Sequence, residues 1–281
     1  MSDPVSSEPK KSNSSLGMRV VSAVVLAPIV LGLVWAGGWP VVALLAVAGP
    51  LMAREWAGLV APDGSASFDA FFISLGLLGL LALGALGALD AGIVFALACV
   101  GWGICLALWR DTSVVRLLFG SAYVGFPVVA FAWLRGDPEY GLVALVWLLG
   151  LVWSTDIFAY FAGKTIGGPK MAPNWSPNKT WAGLGGGVVG AIMAGALIAI
   201  WLGTTIWPLA LISGLLALLS QGGDVIESAL KRRAGVKDSG ALIPGHGGIL
   251  DRVDGLMFAA VGAALIAYVS GDGVSGVLLW P

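Results

Sequence analysis

The chain has 281 residues, of which 58% are hydrophobic and only 11% charged, with a mean hydropathy of +0.93. Soluble domains are roughly 45–50% apolar, so this composition excludes an ordinary water-soluble globule and points to an integral membrane protein. The net charge of −1 carries no information about partners, because the charges are segregated along the chain.

Residues 1–18 are rich in Ser, Pro and Lys and have no apolar face, so a disordered tail is expected there. No small-residue cleavage site follows the first apolar run convincingly, which argues against a removable leader. Nine spans are then expected, at about 19–36, 39–53, 70–89, 91–109, 114–134, 141–163, 181–203, 206–226 and 253–270. These runs are continuous, whereas barrel strands would alternate over segments of about ten residues, so the expected fold is an all-α polytopic helical bundle. The 42 glycines suit helices that pack by close backbone approach.

Spans one to five, within 19–135, carry few polar features. Pro50 interrupts the second, and Glu55 with Trp56 at its end reads as a pair snorkelling to the interface. Cys99 and Cys105 lie six apart in one apolar run and read as core residues. The region 136–281 differs. Asp156 lies inside span six, Asp224 lies near the end of span eight, and Asp251 with Asp254 opens span nine. Carboxylates in a membrane helix cost a few kcal/mol, so they normally face a wet cavity or a cation. Two polar, basic loops, 164–180 and 227–252, flank these spans, and the tail after span nine is too short to cross again.

Orientation follows from charge. With the N-terminus in the cytoplasm, Lys10, Lys11, Arg19, Arg54, Arg110, Arg116, Lys164, Lys170, Lys179, Lys231, Arg232, Arg233, Lys237 and Arg252 all fall inside, and only Arg135 outside.

Along span eight, Asp224, Ser228 and Lys231 are spaced i, i+4, i+7 and share one helical face about 10 Å long. A carboxylate, a hydroxyl and an ammonium in file suit a metal-bound phosphate, while Glu227 and Lys231 could alternatively form a surface ion pair. Lys231, Arg232, Arg233 and Lys237 alone would serve as an orientation signal. The continuation PGHGGILDRVD sets the only histidine, His246, among Pro244, Gly245, Gly247 and Gly248, which allow a tight backbone, and brings Asp251 and Arg252 directly after. Asp224 and Asp251, from adjacent helices, could hold Mg²⁺ together with substrate phosphate oxygens, and a second cation stays open as an alternative. In the 164–180 loop, Ser176, Asn178, Lys179 and Thr180 are donors ahead of span seven. They could help bind an anion, or Thr180 could simply cap the helix. Gly183/Gly187 and Gly186/Gly190 in span seven read as packing. Chemistry on a phosphate at a membrane surface is the inference. Another Mg²⁺-dependent lipid phosphotransferase, or a secondary transporter using Asp156 and Asp224 as ion sites, stays open at this point. No nucleic-acid partner is expected.

The run from Ser228 to Asp254 resembles the signature of phosphatidate cytidylyltransferases: S-x-L-K-R, four residues, K-D, then P-G-H-G-G, two residues, D-R-x-D. QGGDVIES around Asp224 and SPNKTW from Ser176 to Trp181 resemble further segments of that family, in the expected order. This chain has Ala182 where members commonly carry an acid, and Phe158 within a D-x-G-A-Y-like stretch after Asp156. The resemblance implies transfer of CMP from CTP to phosphatidic acid, giving CDP-diacylglycerol and pyrophosphate for phospholipid synthesis. It also implies a homodimer in a bacterial inner membrane with its site facing the cytoplasm. On this resemblance Asp224 and Asp251 bind Mg²⁺, and Lys231, Arg232, Lys237 and Arg252 hold the triphosphate and lipid phosphate. Lys179 with Ser176 and Asn178 completes the nucleotide or lipid-head site, and His246 orients a phosphate.

Overall fold

The computed structural model describes residues 14–61, 64–110 and 113–280. Each long apolar run winds into a helix, because only a helix satisfies its own backbone polar groups in lipid. The helices are α1 (Ser14–Ala36), α2 (Gly38–Val60), α3 (Ala66–Ala85), α4 (Leu89–Trp109), α5 (Val114–Gly136) and α6 (Gly141–Thr165), then α7 (Trp181–Leu202), α8 (Ile206–Arg233), α9 (Leu250–Val269) and the short α10 (Ser275–Leu278). Between α6 and α7, β1 (Lys170–Ala172) and β2 (Ser176–Thr180) form a small antiparallel hairpin. Exposed Trp, Leu and Ile side chains, among them Trp153, Leu197, Trp201 and Trp207, cover the outer faces, as a bilayer and not water would require.

Several expectations change, among them the reading of Cys105 as a core residue, since it is exposed while Cys99 is buried. Among the described residues seven helices, α2, α3 and α5 to α9, are long and apolar enough to cross a membrane, whereas α1 and α4 contribute shorter apolar stretches, Val24–Ala36 and Ile93–Trp109. The count of nine therefore rests on those two. The expected disordered tail lies largely outside the described residues, and its last part, 14–18, belongs to α1. Pro50 does not end α2, which runs on to Val60. The supposed loop 227–252 begins as helix, because α8 continues to Arg233, where Lys231, Arg232 and Arg233 complement the negative end of the helix dipole.

Two groups of buried side chains hold the bundle. One joins α6, α7, α8 and α9 around Trp147, Leu148, Leu151, Leu209 and Leu216, and Trp147 Nε1 donates to Ser213 Oγ at 2.8 Å. The other joins α2, α3 and α5 around Trp56, Phe72, Leu117 and Val124, and it takes in Leu250 and Met257 of α9. Trp56 is thus buried in this core and does not snorkel.

Glycine sets the closest approaches. A Cβ on Gly183 or Gly187 of α7 would sit 3.0 Å from the carbonyl oxygen of Ala159 or Thr155 on α6, and one on Gly190 would meet the Phe158 ring at 2.7 Å. The spacing is therefore a packing seam, into which Phe158 fits. Between α8 and α9, a Cβ on Gly223 would stand 2.8 Å from Asp254 O, and one on Gly255 would stand 2.5 Å from Ser220 Oγ. That contact brings the acid-bearing turns of α8 and α9 side by side.

The ends of the bundle differ in charge. Arg135, closing α5, caps the C-terminus of α1 by donating to Val34 O at 2.7 Å and Trp35 O at 3.0 Å. Arg116, opening the same helix, donates from Nη2 to Ser65 Oγ at 2.7 Å and pairs with Asp69 at 3.5 Å. The end that holds Arg116 also holds Arg54, the hairpin and the α8–α9 connection.

Candidate active site

Three elements meet at that end: the last four turns of α8, the first turn of α9, and strand β2. Lys179, near the end of β2, places its ammonium 2.6 Å from Asp224 Oδ2 and 3.3 Å from the carbonyl oxygen of Gln221. Ser228 Oγ donates to the other oxygen, Asp224 Oδ1, at 3.3 Å, as the helical face read from the sequence requires. Asp156, exposed on α6, accepts from Gln221 Nε2 at 3.3 Å and so borders the same group.

One turn further along α8, Lys231 reaches back to Glu227 Oε2 at 2.9 Å and across to Asp251 Oδ1 at 2.6 Å. The Glu227 side chain is completely buried and that of Asp251 is 3% exposed, so this is an interior triad and not the surface pair the spacing also allowed. Because Lys231 holds both carboxylates, Asp251 lies at the level of Glu227, roughly one turn or about 5 Å along α8 from Asp224. Asp254, three residues on, comes within electrostatic reach of Asp224 and Glu227. Tyr123 of α5 packs edge-on to Phe258 at 6.0 Å, and its buried hydroxyl has no hydrogen-bond partner among the described residues.

The glycine-rich connection is shaped around carboxylates. Ile243 and Gly247 form an isolated bridge, with Ile243 N donating to Gly247 O and His246 N to Ile243 O, both at 2.9 Å. Gly245 and Gly247 turn with φ of 77° and 86°, conformations that cost little only for glycine. A Cβ on Gly247 would also approach Asp251 Oδ2 to 2.8 Å. That oxygen accepts from the amides of Gly248 (2.8 Å) and Ser239 (2.9 Å) and from the Ser239 hydroxyl (3.0 Å). Asp251 therefore turns Oδ2 to the loop and Oδ1 to α8.

The remaining candidates separate into two groups. Arg232, Lys237 and Arg252 are exposed around the mouth, Arg232 donating to Val236 O at 3.2 Å. His246 is half-buried, and its Nδ1 is buried with no hydrogen-bond partner among the described residues. Ser176 and Asn178 lie on β2 with Lys179. Thr180, expected also as an anion donor, is buried, and its hydroxyl accepts from Gly183 N at 3.0 Å as the N-cap of α7. The cap is the role the geometry shows for Thr180. Glu227, Asp254, Gln221 and Ser239 were not singled out as site residues from the sequence. Glu227 and Asp254 carry a signal, since each follows a predicted site acid by three residues and shares its face.

Among the described residues no three His, Cys, Asp or Glu side chains gather into a ready-made metal cage. The donor set nevertheless fits a hard divalent ion. Asp224 and Asp251 each hold a lysine ammonium at 2.6 Å, so both positions are built to take positive charge, and the carboxylate of Glu227 is buried beside Lys231. An ion of this type is commonly held by one or two carboxylates together with substrate phosphates.

Residues 17–270 match the family model described as the cytidylyltransferase family. A phosphatidate cytidylyltransferase of Brucella abortus biovar 1 is 40% identical over 250 residues, covering 88% of this chain and 91% of that protein. The Haemophilus influenzae protein of that name is 37% identical over 180 residues, 56% of this chain and 62% of its own. The Bacillus subtilis one is 41% identical over 144 residues, 50% and 54% respectively.

Proposed function

Because the chain belongs to the cytidylyltransferase family, we propose that it is a membrane nucleotidyltransferase that moves CMP from CTP onto phosphatidate, forming CDP-diacylglycerol and pyrophosphate. The observation that carries this reading is the set of alternating acids and lysines, Asp224–Lys179 and Glu227–Lys231–Asp251, where α8, α9 and β2 meet at one end of the bundle. A phosphatidate oxygen attacks the α-phosphorus of CTP, the bond to the bridging β-phosphate oxygen breaks, and pyrophosphate leaves with that electron pair. A phosphate oxygen is already ionised, so positioning and charge stabilisation matter more than a general base.

The chain's own residues fit those tasks. Lys179 and Lys231 exchange their carboxylate partners for phosphate oxygens, and Arg232, Lys237 and Arg252 at the mouth attract the two anionic substrates. Ser176, Asn178 and Ser228 offer donors beside them, Asp156 keeps Gln221 and the neighbouring Lys179 in place, and His246 orients a phosphate. Asp224 and Asp251 would hold Mg²⁺, and a second cation would add to the same charge neutralisation. When bound, the metal supplies charge neutralisation on the reacting phosphates. The site faces the cytoplasm of a bacterial inner membrane in this reading, in line with the placement of Lys and Arg, and the enzyme acts as a homodimer.

Purified protein given labelled CTP, phosphatidate and Mg²⁺ should form CDP-diacylglycerol, and none when the metal is chelated. No product, combined with ion flux in liposomes, would favour a transporter. Lys179→Ala should raise KM for CTP or phosphatidate about tenfold or more, since hydrogen bonds to charged groups are worth roughly 1.5–3 kcal/mol. Unchanged KM values for both substrates would reduce the hairpin to a support for α7.

A further inference from the structure

The first turn of α9 carries Asp251, with Asp254 in the turn that follows, yet the helix begins without a cap of its own. Its N-cap residue is Ile249, which has no side-chain acceptor. A helix start needs acceptors for its free amides, and one left bare frays. Here the acceptor arrives from the other half of the chain. Glu55, on α2, takes the amide of Ile249 on Oε1 at 2.9 Å and the amide of Leu250 on Oε2 at 2.9 Å, across 194 and 195 residues of sequence. Its negative charge also lies where the helix dipole is positive.

The same carboxylate reaches the loop. Ser239 Oγ stands 3.1 Å from Glu55 Oε2 and 3.0 Å from Asp251 Oδ2, so one hydroxyl lies between the two acids. Gly248 makes room for this arrangement: a Cβ there would come within 2.5 Å of Glu55 Oε2. Glu55 therefore does not snorkel into the interface. Its neighbours Trp56 and Ala57 are buried, so the turn that presents it is fixed in the α2–α3–α5 core.

We propose that Glu55 is a positioning residue for the transferase reaction: it anchors the start of α9 and Ser239, and thereby sets the carboxylate of Asp251 with Oδ1 toward α8. This rests on the reading above, in which Asp251 serves the reaction. It gives α2 a direct part in the active site, although every signature segment lies beyond residue 150.

The test uses full-length protein carrying Glu55→Ala, Glu55→Gln or Ser239→Ala. In Glu55→Ala, amide hydrogen exchange over residues 248–252 should accelerate at least tenfold, while α8 and the rest of α9 keep wild-type rates. The Mg²⁺ concentration for half-maximal activity should rise and kcat should fall by roughly 10- to 100-fold, the usual cost of losing a group that orients a metal ligand, with KM for CTP moved less than threefold. Glu55→Gln keeps one acceptor oxygen and should recover part of both effects. Unchanged exchange at 248–252, or wild-type kcat and Mg²⁺ dependence in Glu55→Ala, overturns the proposal. So does faster exchange throughout the bundle, which would make Glu55 a general fold support. Exchange needs no turnover, so a wild-type protein that makes no CDP-diacylglycerol would defeat the functional reading alone, and the anchor would still be decided.

Discussion

Asp224→Ala and Asp251→Ala should each lower CDP-diacylglycerol formation by about 10³-fold or more, the equivalent of the several kcal/mol of charge stabilisation that a bound metal contributes. The two variants should differ in stability. Asp224 is about one-third exposed at its side chain and is held by Lys179 and Ser228, so its removal should leave the fold nearly intact. Asp251 accepts from Lys231, from the amides of Gly248 and Ser239, and from the Ser239 hydroxyl. Removing it strands donors in a closed loop, and a destabilisation of about 1–3 kcal/mol is expected. Thermal unfolding in detergent, measured beside turnover, separates the two effects. Activity retained in either variant would contradict the assignment of these aspartates.

Lys231→Met should be the most disruptive single change in the site. The ammonium stands between two carboxylates that scarcely touch solvent, and deleting it leaves them facing each other. Breaking a buried ion pair on one side typically costs about 3–5 kcal/mol, because the charge left behind has no partner. Turnover should fall at least 100-fold as well. The double change Lys231→Met with Glu227→Gln distinguishes these losses. Removing one of the stranded charges should recover much of the stability, and activity should stay low because the phosphate-binding ammonium is still missing. If the double variant regained activity along with stability, Lys231 would be a structural ion and not a substrate ligand.

The helices and the site were legible in the sequence to different degrees, for physical reasons. Hydropathy marks where a chain leaves the bilayer, not where a helix ends. That is why α8 runs past Ile226 through its polar turns to Arg233. Asp224, Ser228, Lys231 and Asp251 could be placed because helical periodicity and signature spacing are local properties. The role of Thr180 was also local, as one of two uses for a hydroxyl at a helix start, and the geometry selected the cap. Glu55 had no such local sign. Its partners lie 184 to 195 residues away, and the missing cap it compensates for, at Ile249, becomes visible only when α2 and α9 are seen together. The hairpin at 170–180 was hidden for a similar reason, since strands this short carry no readable alternation.

In the proposed reaction Asp224 and Asp251 jointly hold a divalent cation against the nucleotide. Titrating purified protein with Mn²⁺ in the presence of CTP, and following free Mn²⁺ by electron paramagnetic resonance, checks this. CTP-dependent Mn²⁺ binding is expected in the wild type and should be lost in both Asp224→Ala and Asp251→Ala. Binding of wild-type strength in both variants would contradict it.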